Sequence, residues 1–440
     1  MRIKFEQSKR MELIGGAGVS LLAQILHRHT TLAKDLTRQF PKRSHGLPTG
    51  DVMTAYLACL CLGKSDFEAV RTLEDRVLSP ESLGIAAFPS PESVRQRLDE
   101  GADLYLPYVQ KAALDVLRKG SAPITPLSMG HVALDVDVTP LDNSKTKKEG
   151  LGWTYKGFDG YAPIAAYLGE EGWCLGFELR KGDQHCQKDT PDFLRRVIQG
   201  ARTLTPEKLL LRMDAGNDAG ENYAVAEDEG ADFLVKHNWR GQSMDAWVDK
   251  ALALPAEDWS HPREGKRVVR LSEWVERRFE KRTLRVRMVV EVTERTTDPD
   301  GNATLLPVYG VDAWDTSLDL PEGDIIGLYK DHGTSEQFHS EMKSELDLER
   351  LPSGKFATNA LILELGALAY NLLRLMGQVG LKDYKQRHPS KRRRLKTVIQ
   401  ELLYVAARVV SSGRQITFLF GRSCQAFERL LLLRHHFNLA

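Results

Sequence analysis

Residues 207–220 read "EKLLLRMDAGNDAG", a largely apolar run at 209–213 that stops at Asp214 and gives way to small and turn-forming residues. A strand that is apolar on both faces cannot line a sheet left open to water on one side, so it demands a layer of structure above and below. That requirement puts a carboxylate where a buried strand opens into a glycine-containing loop. In sheets covered on both faces the functional crevice lies at the strand ends, and Asp214 stands at its lip.

The surrounding pattern gives the strand its neighbours. Residues 10–118 carry apolar positions at helical spacing, as in "TGDVMTAYLACLCLG" and "LYLPYVQKAALDVLRKG". Ser90 and Pro91 form a helix start. The helix from Pro91 places Arg95 and Arg97 where the second helix of a helix-turn-helix meets DNA, a pattern that any three-helix unit shares.

Near residue 130 the periodicity changes to alternation. "HVALDVDV" (131–138) is a strand with Asp135 and Asp137 on one face, because side chains repeat every second residue. "YAPIAAYL" (161–168) and "WCLGFELR" (173–180) follow at hairpin distance, then a helix from "DTPDFLRRVIQGA", the strand 207–213, a short helix and the strand "ADFLVKHN" (231–238). The order β-β-β-α-β-α-β is similar to the layout of a ribonuclease-H-like domain, an α/β fold whose mixed sheet is flanked by helices.

Residues 240–325 alternate again, with "TTDPDGNAT" as a turn, and read as a β-rich insertion. A helix around "DHGTSEQFHSEMKSEL" and a long apolar helix at 356–377 then resume the core. The expected organisation is a helical, DNA-binding N-terminal domain (1–125), a core in two parts (126–239 and 326–380) split by the insertion (240–325), and a basic helical module (381–440).

Composition narrows the function classes. The five cysteines are odd in number and contain no Cys-x-x-Cys pair, which excludes a disulfide framework and a thiolate zinc site and fits a reducing cytoplasm. "ALILELGALAYNLLRLMG" carries Glu364 and Arg374 and reads as a buried helix, and "LIGGAGVSLLAQIL" as an ordinary first helix with no cleavage site, so a soluble protein is expected. "GGAG" at 15–18 lacks the strand and the Lys-Ser/Thr of a phosphate loop. His185 beside Cys186, and the His435-His436 pair, have no second pair at ligand spacing.

The net charge of +1 hides an asymmetry: residues 381–440 hold thirteen Lys or Arg against three acids. There Lys391, Arg392, Arg393, Arg394 and Lys396 form a run suited to phosphate, with a solvated helix start as the plainer alternative.

In the helix around 331–346, Glu336 and Lys343 are seven apart, His332 lies four before Glu336, and Tyr329 precedes it by seven. Tyr329, His332, Glu336 and Lys343 match a signature of Tyr, two residues, Arg, three residues, Glu, six residues, Lys, with His in place of Arg. On these residues, and on "LDVDVTPLD", "YKGFDGYAPI", "LLLRMDAGND", "GTSEQFHSEMK" and "ERLPSGKFATNALILELGALAYNLL", the chain resembles the Asp-Asp-Glu transposases of bacterial insertion sequences over about 130–410.

The resemblance implies Asp214 and Glu336 as second and third acids, and Asp137 as the first in preference to Asp135, which shares its face. It implies Tyr329 and Lys343 as contacts to the DNA backbone. His332 stands where the family's Arg meets phosphate, although His is mostly neutral at pH 7. Three crowded carboxylates need a cation, and all-oxygen ligation selects Mg²⁺, or Mn²⁺ in its place. Two such ions, about 3.5–4 Å apart, are expected to serve an in-line phosphodiester displacement. The implied partners are double-stranded DNA, both the element's terminal inverted repeats and the target, and a second copy of the chain in a synaptic homodimer; the place is the bacterial cytoplasm. A related nuclease without strand transfer and a catalytically silent DNA-binding protein are the rival readings.

Overall fold

The computed structural model describes residues 3, 12–41, 46–76, 79–279, 281–298, 300, 302–384, 391–413 and 415–439. At its centre, strand β1 (Val132–Val138) pairs antiparallel with β2 (Ile164–Leu168), which pairs antiparallel with β3 (Trp173–Glu178). On its other side β1 pairs parallel with β4 (Leu209–Met213), and β4 pairs parallel with β5 (Asp232–Lys236). The spatial order 3-2-1-4-5 is the ribonuclease-H-like arrangement expected from the sequence.

Strand β4 explains its own composition. All five of its residues are buried. Leu209, Leu211 and Met213 enter the main core, while Leu210 points the other way, into a cluster with Leu234, Trp314, Ile325 and Ile326. The two covers are the long helices on one face and the helix Glu322–Lys330 on the other. Helix Phe356–Gly380 packs against β3 and against helix Pro91–Lys119. Its apolar stretch would be long enough to cross a membrane, but 94% of it is buried inside the protein, so it is a core helix. Ser90 caps the Pro91–Lys119 helix by accepting from the Ser93 amide at 3.2 Å.

The β-rich segment is not a separate sheet. Its strands β6 (Ser260–Arg263), β7 (Lys266–Phe279), β8 (Arg282–Thr297) and β9 (Ala303–Thr316) form an antiparallel meander. Strand β9 pairs with β5 from Trp314↔Lys236 to Thr316↔Leu234, so the segment extends the central sheet to nine strands.

Two expectations need correction. The C-terminal module is not wholly helical: Ala407–Ser412 and Gln415–Phe420 form a hairpin, turned at Gly413 (φ +60°), and Glu12–Ile14 adds a third strand where the first helix was expected to be under way. The segment 331–346 is likewise not one regular helix. It runs as a 3₁₀ turn (Asp331–Thr334), an α-helix (Ser335–Ser340) and a π-turn (Glu341–Glu345). The π-turn coincides with Glu341, which is fully buried against the Arg374 guanidinium of the core helix.

Candidate active site

Three carboxylates come together at the carboxyl ends of β1 and β4. Asp137 is the penultimate residue of β1, Asp214 directly follows β4, and Glu336 is exposed on the first turn of Ser335–Ser340. Asp137 accepts from the Val138 amide at 2.7 Å, and His339 Nε2 approaches its other oxygen to 3.5 Å. His339 is aimed by Tyr167, whose hydroxyl lies 3.3 Å from His339 Nδ1. Asp214 accepts from Asn217 Nδ2 at 2.9 Å. Gly216 leaves room for it: a Cβ there would sit 3.3 Å from Asp214 Oδ1 and 3.2 Å from Cys186 Sγ.

The electrostatics report the crowding. Burial, and then the charge of Asp137, push the Asp214 carboxyl above its ordinary value. Burial works the same way on Asp137 and is the largest single influence, but His339, His332 and the Val138 amide together outweigh it and hold that carboxyl low. Tyr155 is pushed up to about 12 by burial and by the charges of Asp137, Asp214, Cys186 and Glu336, which places one phenol in the field of all three acids. Its hydroxyl donates to the Val138 carbonyl at 3.2 Å.

Asp135 has another occupation. Parallel pairing of β1 with β4 sets Asp135 opposite Arg212, and the guanidinium grips both carboxylate oxygens at 2.6 and 2.8 Å. His332 Nδ1 adds a contact at 2.9 Å, and Arg212 also donates to the Leu328 carbonyl at 2.7 Å. Burial opposes ionisation of Asp135, yet Arg212 and His332 overcome it and keep the carboxyl below its usual range. His332 is therefore buried and committed to Asp135, where the signature had suggested a phosphate contact. Tyr329 stacks obliquely on it, ring centroids 5.7 Å apart.

Asp137, Asp214 and an exposed Glu336 offer carboxylate oxygens, the donor type that a hard divalent cation takes. Among the described residues, however, the one set of three Asp, Glu, His or Cys ligand atoms within 4.8 Å of one another is Asp218, His237 and Asp315; the three acids of the site are not drawn that close. The Asp218 cluster already has its cation. Arg277 Nη2, from β7, lies 2.5 Å from Asp315 Oδ2 and 2.7 Å from His237 Nδ1, and Tyr223 donates to Asp218 at 2.7 Å. The β-rich segment thus clamps the loop that begins at Asp214.

The expected DNA contacts divide. Arg95 is exposed, whereas Arg97 is tied to Thr49 Oγ1 at 2.5 Å and to the Leu47 carbonyl. Lys343 is half-buried and donates to the Pro140 carbonyl at 2.6 Å, bracing the chain just beyond Asp137. Much of the basic run is spent inside the molecule. Lys391 pairs with Glu170, Arg393 donates to the Leu381 carbonyl at 3.0 Å, and Arg394 pairs with Glu345 at 2.6 Å. Arg392 lies over the Phe338 ring at 4.3 Å and donates to Gln337 at 2.8 Å, next to Glu336. The Lys396 side chain is exposed; residues 385–390, also part of the basic stretch, fall outside the described residues.

Sequence reasoning missed Arg212, Arg277, Asp218, Asp315 and Tyr155. For Arg212 a signal existed, since a lone charge inside "LLLRM" must find a buried partner.

The model of the family described as "Transposase DDE domain group 1" matches residues 123–437. No curated protein matches the chain. Among solved structures, the piggyBac transposase synaptic complex with hairpin DNA is similar at 13% identity and a TM-score of 0.42, covering 89% of this chain and 80% of that one. With a family match over most of its length, the chain belongs to the DDE-domain transposases and is a DNA transposase.

Proposed function

We propose that Asp137, Asp214 and Glu336 are the three acids of this transposase, that they bind Mg²⁺, with Mn²⁺ as substitute, as a pair of ions, and that the enzyme cuts the ends of its element and joins them to target DNA. The observation that carries the reading is the division of labour on β1. Asp135 is neutralised by Arg212, while Asp137 has no arginine partner and its charge acts on Asp214 and, together with those of Asp214 and Glu336, on Tyr155. Bound there, the ions would polarise an attacking water or DNA 3′-hydroxyl and stabilise the leaving oxygen.

The chain's own residues do the rest. The low-held Asp137 carboxylate and the Asp214 carboxylate present oxygens on two adjacent strand ends, and Glu336 approaches from the facing helix. Arg212 with His332, and Arg277 with Asp315, lock the strand ends so that these oxygens need not reorganise. Tyr329, Lys343, Arg95 and Lys396 are the DNA contacts in this reading. It takes the terminal inverted repeats and target as substrates, a homodimer as the assembly that pairs two ends, and the bacterial cytoplasm as the setting.

The test is Mg²⁺-dependent cleavage and strand transfer on DNA carrying the element's flanking repeats. Loss of joined products in Asp137→Ala, Asp214→Ala and Glu336→Ala supports the assignment. Cleavage that survives any of the three places the site elsewhere, and cleavage by the wild type without joining makes the protein a nuclease of the same fold.

A further inference from the structure

We propose that Arg392 is a positioning residue for Glu336: from behind, it seats the short helix that presents the third acid and so sets where that carboxylate points. The inference rests on the assignment of Glu336 above and adds to it a residue that acts through its neighbours, not on the reacting atoms.

The helix Ser335–Ser340 needs outside support. At six residues it is far below the length at which a helix holds itself in water, and it is bounded by a 3₁₀ turn and a π-turn instead of regular helix. Glu336, Gln337 and Ser340 face solvent, so the helix is fixed through the buried Ser335, Phe338 and His339. Phe338 lies two residues beyond Glu336, about 200° around the helix, and therefore anchors the face opposite the acid. Its ring meets Tyr167 of β2 at 4.9 Å between centroids. The turn between β2 and β3 makes way for it at Gly172 (φ +72°), where a Cβ would lie 2.2 Å from Phe338 Cζ.

Arg392 completes this seat. Its guanidinium lies 4.3 Å from the centre of the Phe338 ring, donates to the Gln337 side chain at 2.8 Å and reaches the Glu170 carbonyl, in the turn between β2 and β3, at 3.3 Å. One planar group thus touches both residues that follow Glu336 and ties them to the sheet. A lysine, with a point charge in place of a planar fork, could not serve all three contacts at once.

The arginine is costly where it stands, which separates its role from packing. Lys391 has Glu170, Arg394 has Glu345 and Arg374 has Glu341, yet among the described residues Arg392 forms no ion pair. Its Nε is buried without a partner among them, and burial, followed by the charge of Arg374, lowers the proton affinity of the guanidinium. A methionine would cover the Phe338 ring without that penalty. Features that break a rule of stability are expected where function requires them. Here the acceptor that singles out an arginine is Gln337, the immediate neighbour of Glu336.

The experiment uses the full chain and follows cleavage of end-containing DNA at increasing DNA concentration, with urea melts on the same preparations. Arg392→Met keeps a side chain over the Phe338 ring but removes the donors and the charge. It should lower the rate at saturating DNA by about tenfold to a hundredfold, the scale for a small displacement of a reacting group, and leave the half-saturating DNA concentration unchanged. Arg392→Lys, which restores the charge and one donor, should recover part of that rate. Gln337→Leu, a change on the exposed face, should lower the same rate several-fold. Asp115→Asn is the control for a general loss of stability, since Asp115 holds Lys111, Arg118 and Lys119 on the helix Pro91–Lys119. It should melt earlier and keep the wild-type rate per folded molecule.

An Arg392→Met protein whose rate per folded molecule equals that of the wild type overturns the proposal. So does one whose half-saturating DNA concentration rises at an unchanged rate, which would make Arg392 a DNA contact. If Arg392→Met does not fold, Gln337→Leu decides alone, and a wild-type rate there overturns the proposal. Normal cleavage by Glu336→Ala overturns the assignment of Glu336 itself, and the positioning role falls with it.

Discussion

Replacing each of the two aspartates of β1 by alanine should produce opposite failures. Asp135 and Arg212 have side chains no more than 5% exposed, joined by two contacts of 2.6 and 2.8 Å, with His332 at 2.9 Å. Asp135→Ala leaves the guanidinium buried without its counter-charge, and breaking a buried pair in this way costs about 3–5 kcal/mol. Asp137 has no buried arginine partner; its hold by His339 and the Val138 amide is offset by the ionisation cost it imposes on Asp214, so Asp137→Ala should cost far less stability than Asp135→Ala while abolishing cleavage. Urea denaturation followed by tryptophan fluorescence reads the first effect, and cleavage of end-containing DNA reads the second. Because Asp135 is held below its unfolded value of 3.8, its contribution is fully present above that pH and is lost as the pH falls through the folded value; the Asp135→Ala penalty should fade there too. Replacing both partners by Leu and Met should recover most of the lost stability. An Asp135→Ala protein as stable as the wild type but inactive, beside an active Asp137→Ala, would refute the argument and exchange the two roles.

Other consequences follow from the same electrostatics. Asp214→Asn should raise stability at neutral pH while eliminating activity, since burial and Asp137 penalise the ionised form; thermal melts at neutral pH check it. Arg277→Met uncovers Asp315 and Asp218 together and should cost about 3–5 kcal/mol in urea melts, with Arg277→Lys losing less. Changing Arg392, Arg393 and Arg394 together to Ala should lower the melting temperature, yet shift the salt slope of DNA affinity by less than the roughly 0.9 expected per phosphate contact, because their donors are already used within the chain. A slope that falls by two or more would show that these arginines exchange their internal partners for DNA.

The central sheet was legible because its strands obey simple rules. The alternation in "HVALDVDV" and the double burial of "LLLRM" fix which residues face where, and the element order then leaves few topologies. The three proposed acids were chosen through spacing and resemblance. What spacing could not convey was the use of each charge. Asp135 and Asp137 are indistinguishable by period, and only the parallel register, which sets Arg212 against one of them, separates a structural aspartate from a free one. The internal pairing of the basic run was hidden for a related reason: composition counts charges but not their partners, and Glu170, Glu345 and Gln337 are distant in sequence. Arg277 lies forty residues beyond His237, in a segment that reads as an independent insertion. Its pairing with Asp315 makes that segment part of the site's support, since the clamped Asp218 lies four residues after Asp214 in the loop that follows β4. The β-rich strands therefore act on the chemistry through the position of Asp214, and a change at Arg277 should be felt there before it is felt at Glu336.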